Sequence, residues 1–314
     1  MFTAAKAMDQ GLEVVVLSGA GHEVRILPEN GFNLYSWTVD GQQIMMEAED
    51  LSLKGTKYGI PVLFPFPNRV KDSCYSWQGK EYVLQKRGEK VARHGLVCDE
   101  PFDVTELGAD ENKAYCTAQI AIAPDNALYE GYPFACRLTV TYTLTKAGVR
   151  MDAKVDNLSD QLMPFGFAVH PYFTKRGDAN ACFIKVPAKR YYETDENLIP
   201  SGRILNAGEG TTIYDDFHSV QSLDLDTVFR GLNEDAVSQV RWCDLELSIA
   251  ASDCFRNAVV FTPKTRPGFC IEPQTCATNF INLHAQGLVD ESGLLALAGG
   301  KQFNCWVDYT VKKL

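Results

Sequence analysis

Hydrophobic and polar residues alternate through much of this chain. Cys136, Leu138, Val140, Tyr142 and Leu144 alternate with Arg137, Thr139, Thr141 and Thr143; Val149, Met151, Ala153 and Val155 alternate with Arg150, Asp152, Lys154 and Asp156. A period of two is the signature of strands with one buried face. Lys146-Ala147-Gly148, between the two runs, reads as a hairpin turn. Shorter runs of the same kind occupy 12–17, 23–27, 75–84, 115–122, 182–186, 240–249 and 303–311, with turn residues between them. No long amphipathic helical segment competes. The pattern predicts an all-β chain built as a sandwich or barrel. All-β domains can reach this length, and no repeat, low-complexity tract or linker interrupts it, so a single domain over 1–314 is expected. Residues 190–231 are the least regular and are expected to be loop-rich, a place for a binding surface.

Composition narrows the function. With 314 residues, 46% of them hydrophobic, the chain can bury a sizeable core. A formal net charge of -10 argues against nucleic acid or an anionic membrane as partner, while leaving room for a local basic pocket around one phosphorylated metabolite. Asp9, Gln10 and Glu13 break up any secretory apolar stretch near the start, and no apolar run approaches the ~20 residues of a membrane-spanning helix. Ten cysteines are scattered singly with no C-x-x-C pair. That spacing is neither a zinc nor a thioredoxin signature, and reduced thiols in a cytoplasmic protein fit it best.

Two distant segments place an ionisable residue directly before a proline: His170-Pro171-Tyr172-Phe173 and Glu272-Pro273-Gln274-Thr275. A residue before proline is pushed into extended backbone, and proline lacks the N–H that a central strand uses. Both candidates are therefore expected on extended backbone where strand pairing is interrupted. One histidine and one carboxylate suffice to move two protons in one reaction. Taken singly, each also reads as a satisfied core histidine or a solvated loop acid. Two further segments offer ligands. The proline-stiffened apolar run from Gly59 ends at Asn68-Arg69, which together present several hydrogen-bond donors. In Arg93-His94-Gly95, the glycine would let the backbone pass close to a ligand.

The run 68–84, Arg93-His94-Gly95, His170-Pro171-Tyr172-Phe173 and Glu272-Pro273-Gln274-Thr275, in this order, resemble the aldose 1-epimerase (galactose mutarotase) family over roughly 59–282. Each motif is short; their order carries the resemblance. It implies a single large β-sandwich with a sugar cleft on one sheet. The family's catalytic base would fall on Glu272, its general acid on His170 and its second active-site histidine on His94. Sugar-hydroxyl ligands would fall on Asn68, Arg69 and an aspartate, for which Asp226 is favoured over Asp215 and Asp216.

The implied reaction interconverts anomers. Glu272 takes the C1 hydroxyl proton while His170 donates to the ring oxygen; the ring opens, C1 rotates, and closure reverses both transfers. No cofactor or metal is called for, and the partner is a small sugar. His170 and Glu272 are expected to face each other across a gap that admits the C1–O5 edge. Phe64, Tyr172 or Trp242 could offer the sugar an apolar face. A free hexose is favoured over its 6-phosphate, because Arg69 is committed to hydroxyls and Arg93, Lys175 and Arg176 read as solvated charges. Alternatives are a hexose-6-phosphate 1-epimerase and a non-catalytic sugar-binding or sensor protein on the same scaffold. A metal site at Asp216 and His218 lacks a third ligand, and a serine or cysteine hydrolase lacks G-x-S-x-G.

Overall fold

Two antiparallel sheets carry the chain in a computed structural model that describes every residue except Glu234. The first has nine strands, in spatial order Tyr214–Ser219, Phe183–Val186, Ser238–Arg241, Leu245–Ala251, Gln302–Lys313, Gly148–Asn157, Cys136–Thr145, Lys113–Ile122 and Asp103–Ala109. The second runs Pro200–Asn206, Arg190–Thr194, Asp226–Arg230, Asn257–Phe261, Gly268–Gln274, Ala168–Val169 and Val62–Leu63, with Tyr172–Thr174 also paired to Gly268–Gln274. An N-terminal meander of Thr3–Asp9, Leu12–Gly19, His22–Leu27, Asn33–Val39 and Gln42–Gln43 forms a third, smaller sheet.

The alternation works as expected in the nine-stranded sheet. Cys136–Thr145 buries every second residue along its whole length, and a two-residue turn pairs Thr145 with Gly148. Leu138, Val140, Tyr142 and Leu144 from this sheet share one apolar cluster with Val169, Phe229, Val260, Phe269 and Ile271 from the eight-stranded sheet. Ring pairs cross the interior: Phe173 meets Tyr309 with centroids 6.5 Å apart, and Tyr214 meets Phe229 at 5.7 Å. Leu17, Val24, Ile26 and Trp37 of the meander join the same cluster. The chain is thus the β-sandwich that the pattern implied. Burying each large apolar side chain contributes roughly 1.5–3 kcal/mol.

Three expectations change. The run 75–84 is a hairpin, Cys74–Trp77 and Lys80–Val83, split by Gln78-Gly79 with both residues at positive φ. Residues 190–231 carry four strands rather than loops, three of them in the eight-stranded sheet. Their side chains are mixed because that sheet has a core face and a polar face. Gly95 makes a close approach, but to the chain itself: at φ +80 it bridges Phe64, and a Cβ there would lie 2.2 Å from the Phe64 carbonyl oxygen. All ten cysteines are free thiols. Among the described residues, no helix is long and apolar enough to cross a membrane.

Gly95→Ala should destabilise the protein by about 1–3 kcal/mol, through positive-φ strain and the contact with Phe64. Urea unfolding at constant m-value measures this; an unchanged midpoint would contradict the packing described.

Candidate functional site

The eight-stranded sheet has two chemically distinct faces. Phe173, Phe269, Ile271, Val169, Val260 and Phe229 point into the core. Side chains one residue out of phase point to the other face. There the register aligns Asp226 with Phe261, Phe261 with Cys270, and Cys270 with Tyr172. One rung further, Val259 faces Glu272. Ala168 pairs with Gln274 and Tyr172 with Cys270, so the same register sets His170 opposite Glu272. The ladder lapses between those two rungs, where Pro171 and Pro273 lack amide donors. The His170 amide turns away and donates to the Pro61 carbonyl at 2.9 Å. The interruption expected from the two X-Pro pairs is present, and both interruptions fall at one place.

Directly opposed residues on neighbouring antiparallel strands have Cβ atoms about 5 Å apart. His170 Nε2 accordingly lies 3.2 Å from Glu272 Oε1, with both side chains buried. This corrects the expected gap: no sugar edge fits between them. A substrate must lie over the pair. Tyr172 stacks on the His170 ring at 4.7 Å and 12°, and His94 meets it edge-on at 5.3 Å.

His94 and Asn68 arrive on two connections joined by an Arg69–Arg93 bridge, in which the His94 amide donates to the Asn68 carbonyl at 2.8 Å. Both residues are in the left-handed region, φ +61 and +60, which Asn and His tolerate better than most. Asn68 Oδ1 accepts from the Arg69 guanidinium at 3.0 Å, and Arg69 approaches Asp226 at 3.7 Å.

Asn68, Arg69, His94, His170, Asp226 and Glu272 all line one cavity of about 500 Å³. Asp215 and Asp216 lie elsewhere, exposed on a strand of the nine-stranded sheet. His218 packs on Tyr214 there, and among the described residues it joins no metal-capable cluster. The cluster found is His170, Cys270 and Glu272, whose ligand atoms lie within 4.8 Å of one another. Of the three aromatics considered, Tyr172 lines the cavity, Phe64 is core, and Trp242 donates to the Thr174 carbonyl under Arg176. Sequence reasoning missed Lys57, Phe261 and Arg266, which also line it. No local motif marks them, since only the folded chain brings them to this face.

Burial sets the protonation of the site. It pushes Glu272 well above the usual carboxylate range, the nearby Asp226 adds to this, and Arg69 opposes. Burial pushes His170 down to about 3; contact with its own backbone opposes, and Arg93 and Arg266 add to the fall. Burial also lowers His94, helped by His170, Arg93, Arg69 and Lys57. Part of the His94 residue reaches the cavity mouth, while its Nδ1 is enclosed. Asp226 is raised by burial against the pull of Arg69 and Arg93.

The model of the aldose 1-epimerase family matches residues 13–304. The chain belongs to this family. It is similar to the uncharacterized protein YihR of Escherichia coli K12, 27% identical over 238 residues that make up 74% of each chain. Among solved structures it resembles a galactose mutarotase-like protein from Clostridium acetobutylicum, with a TM-score of 0.87 at 19% identity over 100% of this chain and 99% of that one. It also resembles the galactose 1-epimerase of Lactobacillus acidophilus NCFM, with a TM-score of 0.79 at 15% identity over 100% and 99%. At these identities the two structures establish the galactose mutarotase-like fold. The family binds sugars.

The buried pair makes a pH prediction for this aldose 1-epimerase family member. Between about pH 4.5 and 6.5, the ordinary values of the two groups, the unfolded pair carries one proton, on histidine. The folded pair also carries one. Above 6.5 the unfolded pair holds none and stability falls as pH rises, because Glu272 is raised. Below 4.5 it holds two and stability falls as pH drops, because His170 is depressed. The stability difference between wild type and the His170→Asn/Glu272→Gln double variant should be flat from about 4.5 to 6.5. Outside that window it should shift by up to ~1.4 kcal/mol per pH unit. Urea melts from pH 4 to 9 check this; a constant slope through the window would contradict it.

Proposed function

We propose that this protein is an aldose 1-epimerase, a cofactor-independent isomerase that interconverts the α and β anomers of a hexose on a single domain spanning 1–314. The observation that carries the reading is the 3.2 Å His170–Glu272 pair at the floor of a polar cavity. O1 and O5 of a cyclic aldose hang from the same carbon, so two adjacent proton-transfer groups can serve both. Glu272 takes the O1 proton and His170 gives one to O5; the ring opens, C1 rotates, and closure restores both. Carboxylate with imidazolium, and carboxylic acid with imidazole, are one pair with its single proton moved. Burial favours the neutral form, and hydrogen bonds from sugar hydroxyls to the carboxylate favour the charged one. Asn68, Arg69 and Asp226 would hold the distal hydroxyls. His94 lines the same cavity, which supports a polar contact from its ring as well. A non-catalytic sugar sensor is the weaker reading, since it would need neither member of the pair.

The direct test is anomer equilibration followed by polarimetry or NMR, with the spontaneous rate subtracted. Glu272→Gln and His170→Asn should each slow turnover by ~10²-fold or more, while sugar binding falls less. Near-normal catalysis in either variant would falsify the assignment.

Dialysis against a chelator should leave turnover intact, because every proton borrowed is returned within the pair. Added zinc should inhibit by gathering His170, Cys270 and Glu272 as ligands, and Cys270→Ser should weaken that inhibition. Loss of activity on chelation, restored by metal, would count against the mechanism.

A further inference from the structure

The cavity is basic on a strongly acidic chain. Lys57, Arg69, Arg93 and Arg266 line it, against only Asp226 and Glu272, while the chain as a whole carries -10. Arg69 is engaged by Asn68 and Asp226. Arg93 pairs with Glu89 through one nitrogen, but its Nε is buried with no acceptor. Lys57 and Arg266 have no carboxylate within ion-pair range among the described residues.

These cations are held in place. The Tyr172 hydroxyl donates to the Thr56 carbonyl at 3.0 Å, next to Lys57. The same hydroxyl lies 3.5 Å from the Arg266 guanidinium, which also sits 6.0 Å from the Tyr172 and Phe261 ring centroids. Lys175 Nζ donates to the carbonyls of Pro263 and Arg266, pinning the turn that carries Arg266. Lys175 and Arg176 thus stand outside the cavity, the latter paired with Asp244. A second cavity of about 780 Å³ shares Thr56, Lys57, Arg93 and His94 with the first, and adds Lys54, Lys86 and Arg87 to its lining beside the acids Glu89 and Asp99. The space beyond the sugar pocket is open on its cationic side.

Position decides what these charges meet. If His170 serves O5, the exocyclic C6 lies two bonds from the atom it protonates. A substituent on C6 then falls on the His170–Tyr172 side, toward Arg266 and Lys57 and away from Asp226. We infer that the preferred substrate is an aldose carrying an anionic group at C6, a phosphate, sulfate or carboxylate, gripped by Lys57, Arg93 and Arg266. This rests on the anomerase reading above. It replaces the expectation of an uncharged hexose, which counted Lys175 and Arg176 instead of Lys57 and Arg266.

Rates of anomer equilibration for glucose, glucose 6-phosphate, glucose 6-sulfate and glucuronate test the inference, with glucose as the control for the anomerase reading. At least one anionic sugar should exceed glucose in kcat/KM by roughly tenfold or more, as two or three charge-assisted hydrogen bonds allow. The ranking among the three identifies the anion. Lys57→Gln and Arg266→Gln should each lower that ratio, mainly through KM. A glucose rate equal to or above every anionic rate overturns the inference and leaves the anomerase reading standing; so does a ratio unmoved in both variants. Should no sugar be turned over, calorimetric binding of the same four sugars to wild type decides separately: tighter binding of an anionic sugar upholds the anionic site, and equal binding ends it.

Discussion

Antiparallel register holds the centre of this molecule together. Once Ala168 is opposite Gln274 and Tyr172 opposite Cys270, His170 and Glu272 have no choice but to meet. The residues on either side of them, Val169, Phe173, Phe269 and Ile271, are anchored in the core. Separating the pair would mean shearing the sheet through that core, which tolerates little displacement because it is close-packed. Two prolines remove the amides that would otherwise knit the strands at this rung, so the interruption does not depend on a flexible loop. The same arrangement makes burial of two ionisable groups tolerable: neither must carry charge, because one proton serves both.

Around this fixed floor, most of the other polar side chains that line the cavity come from connections. Asn68 and His94 stand on either side of a single bridge between two irregular segments. Lys57 belongs to a third connection and Arg266 to a turn braced by Lys175. Asp226, Tyr172, Val259 and Phe261 reach the cavity from strands of the sheet that carries the pair. On the proposed reading, proton transfer falls to rigid framework and much of the recognition to segments that vary more freely. One reaction can be kept on this sheet while the bound sugar changes.

Much of the fold was legible because half-buried strands advertise themselves by alternation, as Cys136–Thr145 and Gly148–Asn157 do. Gly268–Gln274 did not, since all seven of its residues are buried and a strand covered on both faces has no period. The strands of 190–231 were hidden for a related reason, their polar face being turned to the site or to solvent. In the site, the proline neighbours of His170 and Glu272 were a readable local signal of broken pairing. Their separation was not readable, because it depends on register, which no short motif encodes. The choice of Asp226 over Asp215 and Asp216 rests likewise on sheet membership: the first lies beside Arg69, and the other two are on the opposite sheet. Lys57 and Arg266 carry no local signal at all.

The one-proton pair has a consequence for how the site responds to its surroundings. Moving that proton from Glu272 to His170 creates a dipole about 3.2 Å long, and moving it back abolishes it, without changing the net charge of the cavity. Mobile ions screen separated charges over a Debye length of ~8–10 Å and have little hold on so short a buried dipole. The approach of an ionic ligand would feel the ionic strength of the medium. The shift of electric moment beneath it would hardly feel it, which insulates the chemistry from the solution while leaving recognition open to it.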